Sequence, residues 1–554
     1  MTSRGPIEPL SVELAEAAGE VVGGTPAPAL LEPPAQAEHG DLATPVALTL
    51  ARFARRAPRD IAESLAERLS ARLDGTGWLE RAEVAGPGFL NLTLSTAWFA
   101  RAAREMAVAG EGYGGGQAVQ ASEVLLEFVS ANPTGPLHVG HARQAAYGDA
   151  VARMMAFASR RVTREHYSND FGRQMDLFGE SVAARYAELL GLEARVPEDG
   201  YRGEYVTQIA EAVLAEVGDR FRDEVSPPSP AAVAAMAELG AGIMMDENRA
   251  VLERFRVRFD RYASEAELQR TGRVAQGVQA LLHAGDAYRH DGAVWFRTTS
   301  YGDEKDRVLI RADGTTTYLA ADVAYHLDKA ARTDGLMIDV LGADHHGYVA
   351  RLRAVLAAGG YDPDRLEVVI LQLVSLVERG AARRMSKRAG TLVTLEELID
   401  DIGVDAARFF LVQRSHETPI EVDVDLAPER TQENPVYYVQ YAHARVAGIL
   451  AQVDGEGPPD PGPPPGLDPS ERALVLRLAG WPEAVREAEE RRAPHRVVAY
   501  LHDLAREFHA FYTRCRVVGE TPSVTAFRLD LCRATGGVIR LGLGLLGVEA
   551  PDRM

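Results

Sequence analysis

Two histidines three residues apart give the clearest chemical signal in the chain. His138 and His141 flank Gly140, at the point where a loop containing Pro and Gly leads into a helix pattern over Ala145 to Phe157. The N-terminus of a helix attracts phosphate through its backbone N–H groups, and imidazoles placed there add donors. We therefore predict a phosphate-binding turn. A metal-binding pair and a purely structural pair are the alternatives, although the sequence offers no third metal ligand nearby.

A basic loop lies far along the chain from this turn. It runs from Arg384 to Thr391 and precedes a helix pattern over Leu395 to Ile402. Of the 60 lysines and arginines only Lys305, Lys329 and Lys387 are lysines, and Lys387 is in this loop. A compact ammonium suits the charge that develops on a departing pyrophosphate better than a planar guanidinium does. Taken alone, however, the loop is better interpreted as a solvated basic surface.

Together the turn and the loop resemble the HIGH and KMSKS signatures of class I aminoacyl-tRNA synthetases. The order is the expected one, with 247 residues between His138 and Met385, but Val139 replaces the usual Ile and Arg384 the first Lys. The resemblance implies that ATP is a substrate with Mg²⁺ as its counterion, and that the protein itself binds no metal. It also implies an ATP-binding set of His138, Gly140, His141, Met385, Ser386 and Lys387, and a catalytic set of His138, His141, Lys387 and Arg388.

One carboxylate interrupts the buried-strand pattern of Val124 to Val129, and another lies in a helix pattern. Glu127 is closely followed by Asn132, while Tyr318 and Asp322 are spaced to share one face of a helix. Buried carboxylates are costly without a cation, and a guanidinium compensates them through bidentate hydrogen bonds. Both stretches resemble the arginine-recognition segments of arginyl-tRNA synthetases, which implies that these four residues bind arginine. Pairing of the carboxylates with a core arginine of the protein is the alternative.

The segment from Gly342 to Tyr348 follows a strand pattern and contains Asp344. It resembles the strand-end segment that meets the ATP ribose or the amino acid in class I enzymes. This resemblance makes Asp344 the predicted ATP contact. An independent metal site at the Asp-His-His sequence is a weaker alternative, because the sequence shows no partner at ligand spacing.

Strand patterns at Ile338 to Leu341 and Val368 to Leu371 are separated by a helix pattern over Val349 to Ala358. Strands that alternate with helices indicate βαβ units and a parallel sheet. With the family resemblance, this predicts an α/β protein with a class I Rossmann-type catalytic domain over residues 113–428. A mainly helical insertion is predicted within that domain, over about residues 190–275.

The segments on either side of the catalytic domain also resemble arginyl-tRNA synthetases. His39 to Thr44 and Ala85 to Asn91 are similar to the N-terminal domain that is peculiar to this family and contacts the D-loop of tRNA. We assign residues 1–112 to this α+β domain, in which a helix pattern runs from Ala47 to Leu69. Residues 429–554 are almost entirely helical in pattern, and we assign them to an all-α anticodon-binding domain.

Aromatic and basic residues of the C-terminal domain suit contact with unpaired nucleotides. Tyr438, Tyr441 and Arg445 share one helix face by their spacing. Aromatic rings stack on bases, and a neighbouring arginine can contact phosphate. The resemblance implies that these three residues, together with Tyr512 and Met554, bind tRNA.

A net charge of −20 argues against broad attraction to nucleic acid, because neutralising phosphates requires Lys and Arg on the contacting face. The tRNA must then be held by local basic surfaces. Arg52, Arg55, Arg56 and Arg59 recur at helical spacing and form one candidate, for which a solvated helix face is an equally good interpretation. No apolar run reaches the length of a membrane span, and the first residues do not read as a signal peptide, so we expect a cytoplasmic monomer.

The resemblance as a whole predicts a ligase. Such an enzyme activates L-arginine with ATP to arginyl-adenylate and transfers the arginyl group to tRNA(Arg), releasing AMP and pyrophosphate. The family typically activates arginine only when tRNA is bound. One rival is a cysteinyl-tRNA synthetase, whose zinc-binding cysteines are missing here. The other is a tRNA-binding or regulatory paralogue without catalysis, against which the intact His138, His141 and Lys387 argue.

Overall fold

The computed structural model describes residues 5–24, 30–34, 36–116, 122–382, 393–453 and 462–554. Its helices are α1 (Glu8–Val22), α2 (Val46–Ala54), α3 (Pro58–Leu73), α4 (Thr96–Ala109), α5 (Val139–Phe157), α6 (Arg173–Leu189), α7 (Glu204–Val217), α8 (Pro230–Arg254), α9 (Glu265–Arg270), α10 (Arg273–Ala284), α11 (Tyr318–Arg332), α12 (Val349–Ala358), α13 (Leu395–Ile402), α14 (Val404–Val412), α15 (Pro435–Leu450), α16 (Pro469–Ala479), α17 (Trp481–Glu490), α18 (Pro494–Arg514) and α19 (Pro522–Leu545). Its strands are β1 (Leu42–Thr44), β2 (Leu79–Ala85), β3 (Phe89–Leu94), β4 (Glu123–Glu127), β5 (Arg161–Ser168), β6 (Arg261–Ser264), β7 (Ala287–His290), β8 (Ala293–Phe296), β9 (Arg307–Ile310), β10 (Leu336–Gly342), β11 (Leu366–Leu371), β12 (Val374–Glu378), β13 (Ala381–Ala382) and β14 (Ile420–Asp423).

The chain forms two compact units. One comprises Met1–Ala118, Phe157–Ser159 and Arg430–Met554, and the other comprises Val119–Ala156 and Arg160–Glu429. The first unit therefore combines both ends of the sequence. None of the helices in the described part of the chain has the length and apolar composition needed to cross a membrane.

The second unit is built on a five-stranded parallel sheet with the strand order β11-β10-β4-β5-β6. The predicted strands at Ile338–Leu341 and Val368–Leu371 are present as parts of β10 and β11, and the predicted helix between them is α12. This confirms the predicted parallel α/β fold. Because the chain order reverses between β4 and β10, the carboxyl ends of these two strands border the crevice where such folds bind ligands.

The predicted helical insertion, residues 190–275, contains α7 and α8, which pack with α6 around a core that includes Phe178 and Met236. Its predicted end is too late, however. The strand β6 pairs in parallel with β5, so residues 261–264 belong to the central sheet. The sequence Arg-Tyr-Ala-Ser of this strand has no apolar run, which explains why the pattern did not indicate it.

The turn between β4 and α5 differs from the sequence prediction at both ends. The strand stops at Glu127 rather than Val129, and the helix begins at Val139 rather than Ala145. Val129 has φ 71° and Ser130 has φ 27°. Positive φ is rare outside glycine and is unfavourable for a β-branched residue, so this turn is a strained feature that the surrounding structure must hold in place.

In the first unit, β1, β3 and β2 form an antiparallel sheet. The single helix predicted over Ala47–Leu69 is two helices, α2 and α3. The break occurs because Arg55 adopts φ 51° and Pro58 starts the next helix. The four arginines of the candidate basic surface are all exposed, but they lie on two helices and their junction rather than on one helix face.

The two ends of the sequence are joined within the first unit by buried polar contacts. Asp41 accepts a hydrogen bond from the backbone N–H of Leu94 at 2.7 Å and forms an ion pair with Arg472 at 3.0 Å. Trp481 Nε1 donates to the carbonyl of Tyr113 at 3.0 Å. Gly40 makes this arrangement possible, because at its φ of 89° a Cβ would lie 2.7 Å from the Leu92 carbonyl oxygen.

Close packing of α5 on the end of β4 depends on a glycine. A Cβ on Gly148 would lie 2.3 Å from Cγ of the fully buried Phe128. We predict that Gly148→Ala lowers the free energy of unfolding by about 1–3 kcal/mol through overpacking.

The matched control is Gly242→Ala on α8, where the added Cβ meets no atom within 4 Å. This change should be neutral or raise stability by about 0.5–1 kcal/mol, since alanine favours the helix. Thermal and urea unfolding measure both variants. Equal stability of the two would contradict the packing described here.

Candidate active site

Three carboxylates lie side by side where the central strands end. Glu127 is in register with Asp339 of β10 on one side and with Glu165 of β5 on the other. All three are buried, and neighbouring strands are only about 4.8 Å apart. A buried row of negative charge at this spacing requires cations to compensate it.

Helix α11 supplies most of those cations, and Arg261 of β6 adds one that lies 3.3 Å from Glu165. The Nζ of Lys329, which has no exposed surface, donates to Oε2 of Glu127 at 2.6 Å and also contacts Oδ1 of Asp339. Arg332 donates to Glu165 at 2.8 Å, and the hydroxyl of Tyr325 donates to the same carboxylate at 2.7 Å. The pairing of the carboxylates with a basic core residue, which was the alternative interpretation, is therefore present for Glu127, with lysine rather than arginine as the partner.

His326 completes the group. Its Nδ1 lies 2.9 Å from the carbonyl oxygen of Asp322, and its Nε2 lies 2.9 Å from Oδ2 of Asp339. Both partners are acceptors, so both ring nitrogens must donate and the imidazole is cationic. Burial lowers the pKa of His326, but the carboxylate of Asp339 outweighs this and raises it overall.

A second pair of carboxylates is compensated less fully, because the charges of His326 and Lys329 act on Asp322 without direct contact. Asp322 on α11 and Glu265 at the start of α9 interact electrostatically, and within the described part of the chain neither forms an ion pair. Burial raises the pKa of Glu265 to about 7, with a further contribution from Asp322. Burial also raises the pKa of Asp322 to about 6. A cationic ligand would relieve both costs.

Tyr167 connects the two carboxylate groups. Its hydroxyl donates to Oε2 of Glu265 at 3.3 Å, and its backbone N–H donates to the hydroxyl of Ser130 at 3.3 Å. Ser130 in turn donates to Oε1 of Glu127 at 2.7 Å. Burial raises the pKa of Tyr167, so it remains a donor. The strained turn after β4 is thus tied to Glu127 on one side and to the Glu265 pocket on the other.

Tyr318 and Asn132 lie in less enclosed positions. Tyr318 is the first residue of α11, is 57% exposed, and shares a helix face with Asp322. Asn132 is partly buried and donates its amide to Oε1 of Gln174. The structure therefore brings Glu127 and Asp322 into one electrostatic group, with Tyr318 one helical turn before Asp322.

The two histidines form a stacked pair at the N-terminus of α5, with ring centroids 3.8 Å apart. The Nδ1 of His141 accepts from the backbone N–H of His138 at 3.3 Å, and the Nδ1 of His138 accepts from that of Gly140 at 3.1 Å. Each ring must therefore carry its hydrogen on Nε2. A Cβ on Gly140 would lie 2.9 Å from the His138 ring, so glycine is required for this stacking.

The chain that follows the predicted basic loop is anchored to this turn. Val139 donates its backbone N–H to the carbonyl of Val393 at 3.1 Å, and Leu395 donates to that of Leu137 at 2.7 Å. Thr394 caps the start of α13 and forms a bridge with His138.

Several predicted ATP contacts cannot be placed. Met385, Ser386, Lys387 and Arg388, with Arg384, lie outside the described residues. Asp344 is in the short helix Ala343–Tyr348 that follows β10, and its side chain is not described. Among the described residues, no group of three or more His, Cys, Asp or Glu side chains is arranged to hold a metal ion.

In the other unit, four of the five predicted tRNA contacts lie on one surface formed by α15 and α18, which we call the aromatic face and which consists of Tyr438, Tyr441, Arg445 and Tyr512. The guanidinium of Arg445 lies 5.1 Å from the ring centroid of Tyr441 and 5.2 Å from that of Tyr512. His509 lies between the tyrosines, 4.9 Å from the Tyr438 ring centroid and 5.8 Å from that of Tyr441. The sequence interpretation did not include this histidine.

Met554 is half-exposed, and the segment before it is attached elsewhere on α15. Gln440 donates to the carbonyl of Glu549 at 2.9 Å, and Nδ1 of His443 lies 3.0 Å from that of Pro551. By helical spacing, Gln440 and His443 lie on the side of α15 away from Tyr441. The C-terminal segment therefore runs along the back of the helix that carries the aromatic face.

Three family descriptions match consecutive parts of the chain. The arginyl-tRNA synthetase N-terminal domain matches residues 8–94, the catalytic domain of class I (R) tRNA synthetases matches 105–427, and the DALR anticodon-binding domain matches 439–554. The second match alone covers more than half of the chain. This chain belongs to the arginyl-tRNA synthetase family.

Similar proteins agree with this assignment over nearly the whole length. The arginine–tRNA ligase of Bacillus subtilis is 43% identical over 95% of this chain and 94% of its own, and that of Frankia alni is 45% identical over 98% and 97%. The Thermus thermophilus arginyl-tRNA synthetase structure superposes with a TM-score of 0.76 at 25% identity, over 99% of this chain and 100% of its own. The predicted three-part class I fold of this arginyl-tRNA synthetase family member is thereby confirmed.

The sequence patterns did not indicate two of the functional candidates. Glu265 follows a strand without an apolar run and reads as an ordinary acidic residue in the first turn of a helix. Lys329 pairs with a residue 202 positions away, which no local pattern reveals. The rarity of lysine in this arginyl-tRNA synthetase family member was the one available signal for Lys329.

Because burial raises the pKa of Glu265 and Asp322, the free energy of unfolding depends on pH. A carboxyl whose pKa is raised on folding, here from 4.5 to about 7 for Glu265, costs nothing while protonated and carries its full cost above pH 7. Glu265→Gln should therefore raise the free energy of unfolding at pH 8 by about 1–3 kcal/mol, and by much less at pH 5.

Glu267→Gln is the matched control, because this neighbouring carboxylate on α9 is exposed. It should change stability little at either pH. Thermal unfolding of the ligand-free protein at the two pH values measures the effect. A loss of stability in Glu265→Gln at pH 8 would show that its charge is already compensated within the protein.

Proposed function

We propose that this chain catalyses the reaction for which its relatives are named, the ATP-dependent joining of arginine to tRNA. A carboxylate oxygen of arginine attacks the α-phosphorus of ATP, the bond to the bridging β-phosphate oxygen breaks, and arginyl-adenylate and pyrophosphate form. The terminal ribose hydroxyl of tRNA then attacks the arginyl carbonyl carbon, and AMP leaves. The observation that carries the choice of amino acid is the less fully compensated pair Asp322 and Glu265 beside the carboxyl ends of the central strands.

Arginine fits the charge of this pocket. Two carboxylates that repel one another accept the five N–H donors of a guanidinium, and the planar group matches them in a bidentate manner. Tyr318 would cover the guanidinium from its exposed position at the start of α11. Glu127 and Asn132 would contact the amino acid from the turn after β4, with Ser130 and Lys329 holding the Glu127 carboxylate in place. Neutral side chains would leave both carboxylates unpaired.

The histidine turn would bind the phosphates of ATP. The Nε2–H groups of His138 and His141 are donors at the N-terminus of α5, where the helix dipole also favours negative charge. Gly140, which has no side chain, would let the backbone approach these phosphates closely. We place Asp344 at the ribose, and Mg²⁺ with ATP as its counterion.

Lys387 and Arg388 would neutralise the departing pyrophosphate, with Met385 and Ser386 lining the same loop. Lys387 precedes Val393 by six residues, a span of about 20 Å at most for an extended chain. Since Val393 is hydrogen-bonded to the histidine turn, this reach is sufficient to bring Lys387 to phosphates bound there.

The direct test is aminoacylation of tRNA(Arg) with each amino acid in turn. Arginine should be the preferred substrate, and Asp322→Asn should raise the KM for arginine by about 100-fold because one bidentate partner is lost. Asp334→Asn, which changes an exposed carboxylate just after α11, should leave the KM unchanged. Preference for another amino acid would refute the proposal. ATP–pyrophosphate exchange by the protein without tRNA would refute only the expected requirement for bound tRNA.

The aromatic face is proposed to bind the anticodon loop of tRNA. Its rings offer stacking surfaces, and Arg445 adds a charge that can reach phosphate. Tyr441→Ala should raise the KM for tRNA by about 10-fold, since stacking of one base is worth about 1–3 kcal/mol, and should leave the KM for arginine unchanged. The terminal Met554 belongs to the same proposed contact set.

Arg486→Ala provides the control for charge loss in the same domain, because Arg486 on α17 forms exposed ion pairs with Glu483 and Glu490. It should not change the KM for tRNA. An equal effect of Tyr441→Ala and Arg486→Ala would mean that the aromatic face is not a specific tRNA contact.

A further inference from the structure

Lys329 occupies the most enclosed position among the charged residues near the arginine pocket. It has no exposed surface, its Nζ lies 2.6 Å from Glu127, it contacts Asp339, and it lies 4.9 Å from the ring centroid of Tyr325. The carboxylates raise its pKa above the ordinary value, although burial opposes this. The residue is therefore a permanent buried cation between the ends of two neighbouring strands.

The choice of lysine at this position is informative. The chain has 60 lysines and arginines, of which only three are lysines, and Arg332 serves the adjacent Glu165 one turn further along α11. A compact ammonium with three donors can bridge two carboxylates in a small space, whereas a planar guanidinium needs room for its fork. A geometric requirement, rather than charge alone, accounts for lysine here.

The four carboxylates around the arginine pocket differ in their ion-pair partners. Glu127 and Asp339 have Lys329 and His326 as cationic partners, while Asp322 and Glu265 have no ion-pair partner among the described residues. The buried group around Lys329 thus contains two cations and two anions and is balanced. A guanidinium that enters the site can therefore form the ion pairs that Asp322 and Glu265 lack within the described part of the chain.

We propose that Lys329 is a positioning residue for arginine recognition: its ammonium fixes the carboxylate of Glu127 in the position from which it contacts the amino acid, and it neutralises Asp339. This inference rests on the proposed function. Through Glu127 and Ser130, Lys329 also supports the strained backbone at Val129 and Ser130, from which Asn132 reaches the amino acid. Without the ammonium, Glu127 would be free to rotate out of this position, and the carboxylate of Asp339 would lose one of its cationic partners and compete for the substrate guanidinium.

The test is Lys329→Ala with and without propylammonium, which supplies the three carbons and the amine that the substitution removes. The variant should raise the KM for arginine by about 10- to 100-fold while changing the KM for ATP by less than about 3-fold. Added propylammonium should lower the KM for arginine towards the wild-type value in a saturable manner. Lys305→Ala, which removes an exposed lysine, should resemble the wild type with or without amine.

A merely structural role predicts other results. In that case the KM values for arginine and ATP rise together, or kcat falls alone, and propylammonium has no effect on the KM for arginine. Any of these would overturn the proposal. A wild type that does not attach arginine to tRNA would instead refute the proposed function, so the two failures are distinguishable.

If Lys329→Ala fails to fold, the double variant Lys329→Met/Asp339→Asn tests the same proposal. It removes one charge of each sign from the buried group, so its fold should be retained, as circular dichroism and thermal unfolding can check. Because Glu127 still lacks its partner, the KM for arginine should remain about 10-fold above the wild-type value. A KM for arginine equal to that of the wild type would overturn the proposal.

Discussion

The catalytic unit depends on the buried ion pairs between helix α11 and the carboxylates of the central sheet. Three neighbouring strands carry buried carboxylates in register, an arrangement that is costly without counterions. The helix places His326, Lys329 and Arg332 opposite them within two turns. Because one helix supplies most of the partners, with Arg261 of β6 adding a second arginine beside Glu165, the position of α11 against the sheet is coupled to the charge state of the whole row. Asp322 lies on that same helix, so α11 carries both a carboxylate of the pocket and counterions of the row.

The strained turn after β4 connects these ion pairs to the histidine turn at the start of α5. A valine and a serine with positive φ require continuous support, and the hydrogen bond from Ser130 to Glu127 provides it. Glu127 is in turn held by Lys329. A chain of side-chain contacts thus extends from the core of the sheet to the loop that leads into α5. This loop and the close packing of Gly148 against Phe128 position the stacked histidines at the start of α5.

The sequence was informative where residue type and local period carry the signal. The apolar runs in β10 and β11 and the histidine turn were predicted, because alternation of strands with helices and imidazoles at a helix start are local features. Glu265 and the β6 strand were not, since a short polar strand gains its identity only from pairing with β5. The helix break at Arg55 was not predicted either, because a left-handed C-cap is usually marked by glycine and here it is an arginine.

The contact between Asp41 and Arg472 has a consequence for synthesis of the chain. These residues are 431 positions apart, and at about 5–20 residues per second the ribosome needs at least about 20 s between them. During that interval Asp41 lacks the arginine with which it pairs in the complete chain, and the carbonyl of Tyr113 lacks Trp481. The N-terminal domain therefore completes these contacts only after the last quarter of the protein has been synthesised. Nascent chains stalled before α16 would expose the corresponding surface to chaperones and proteases.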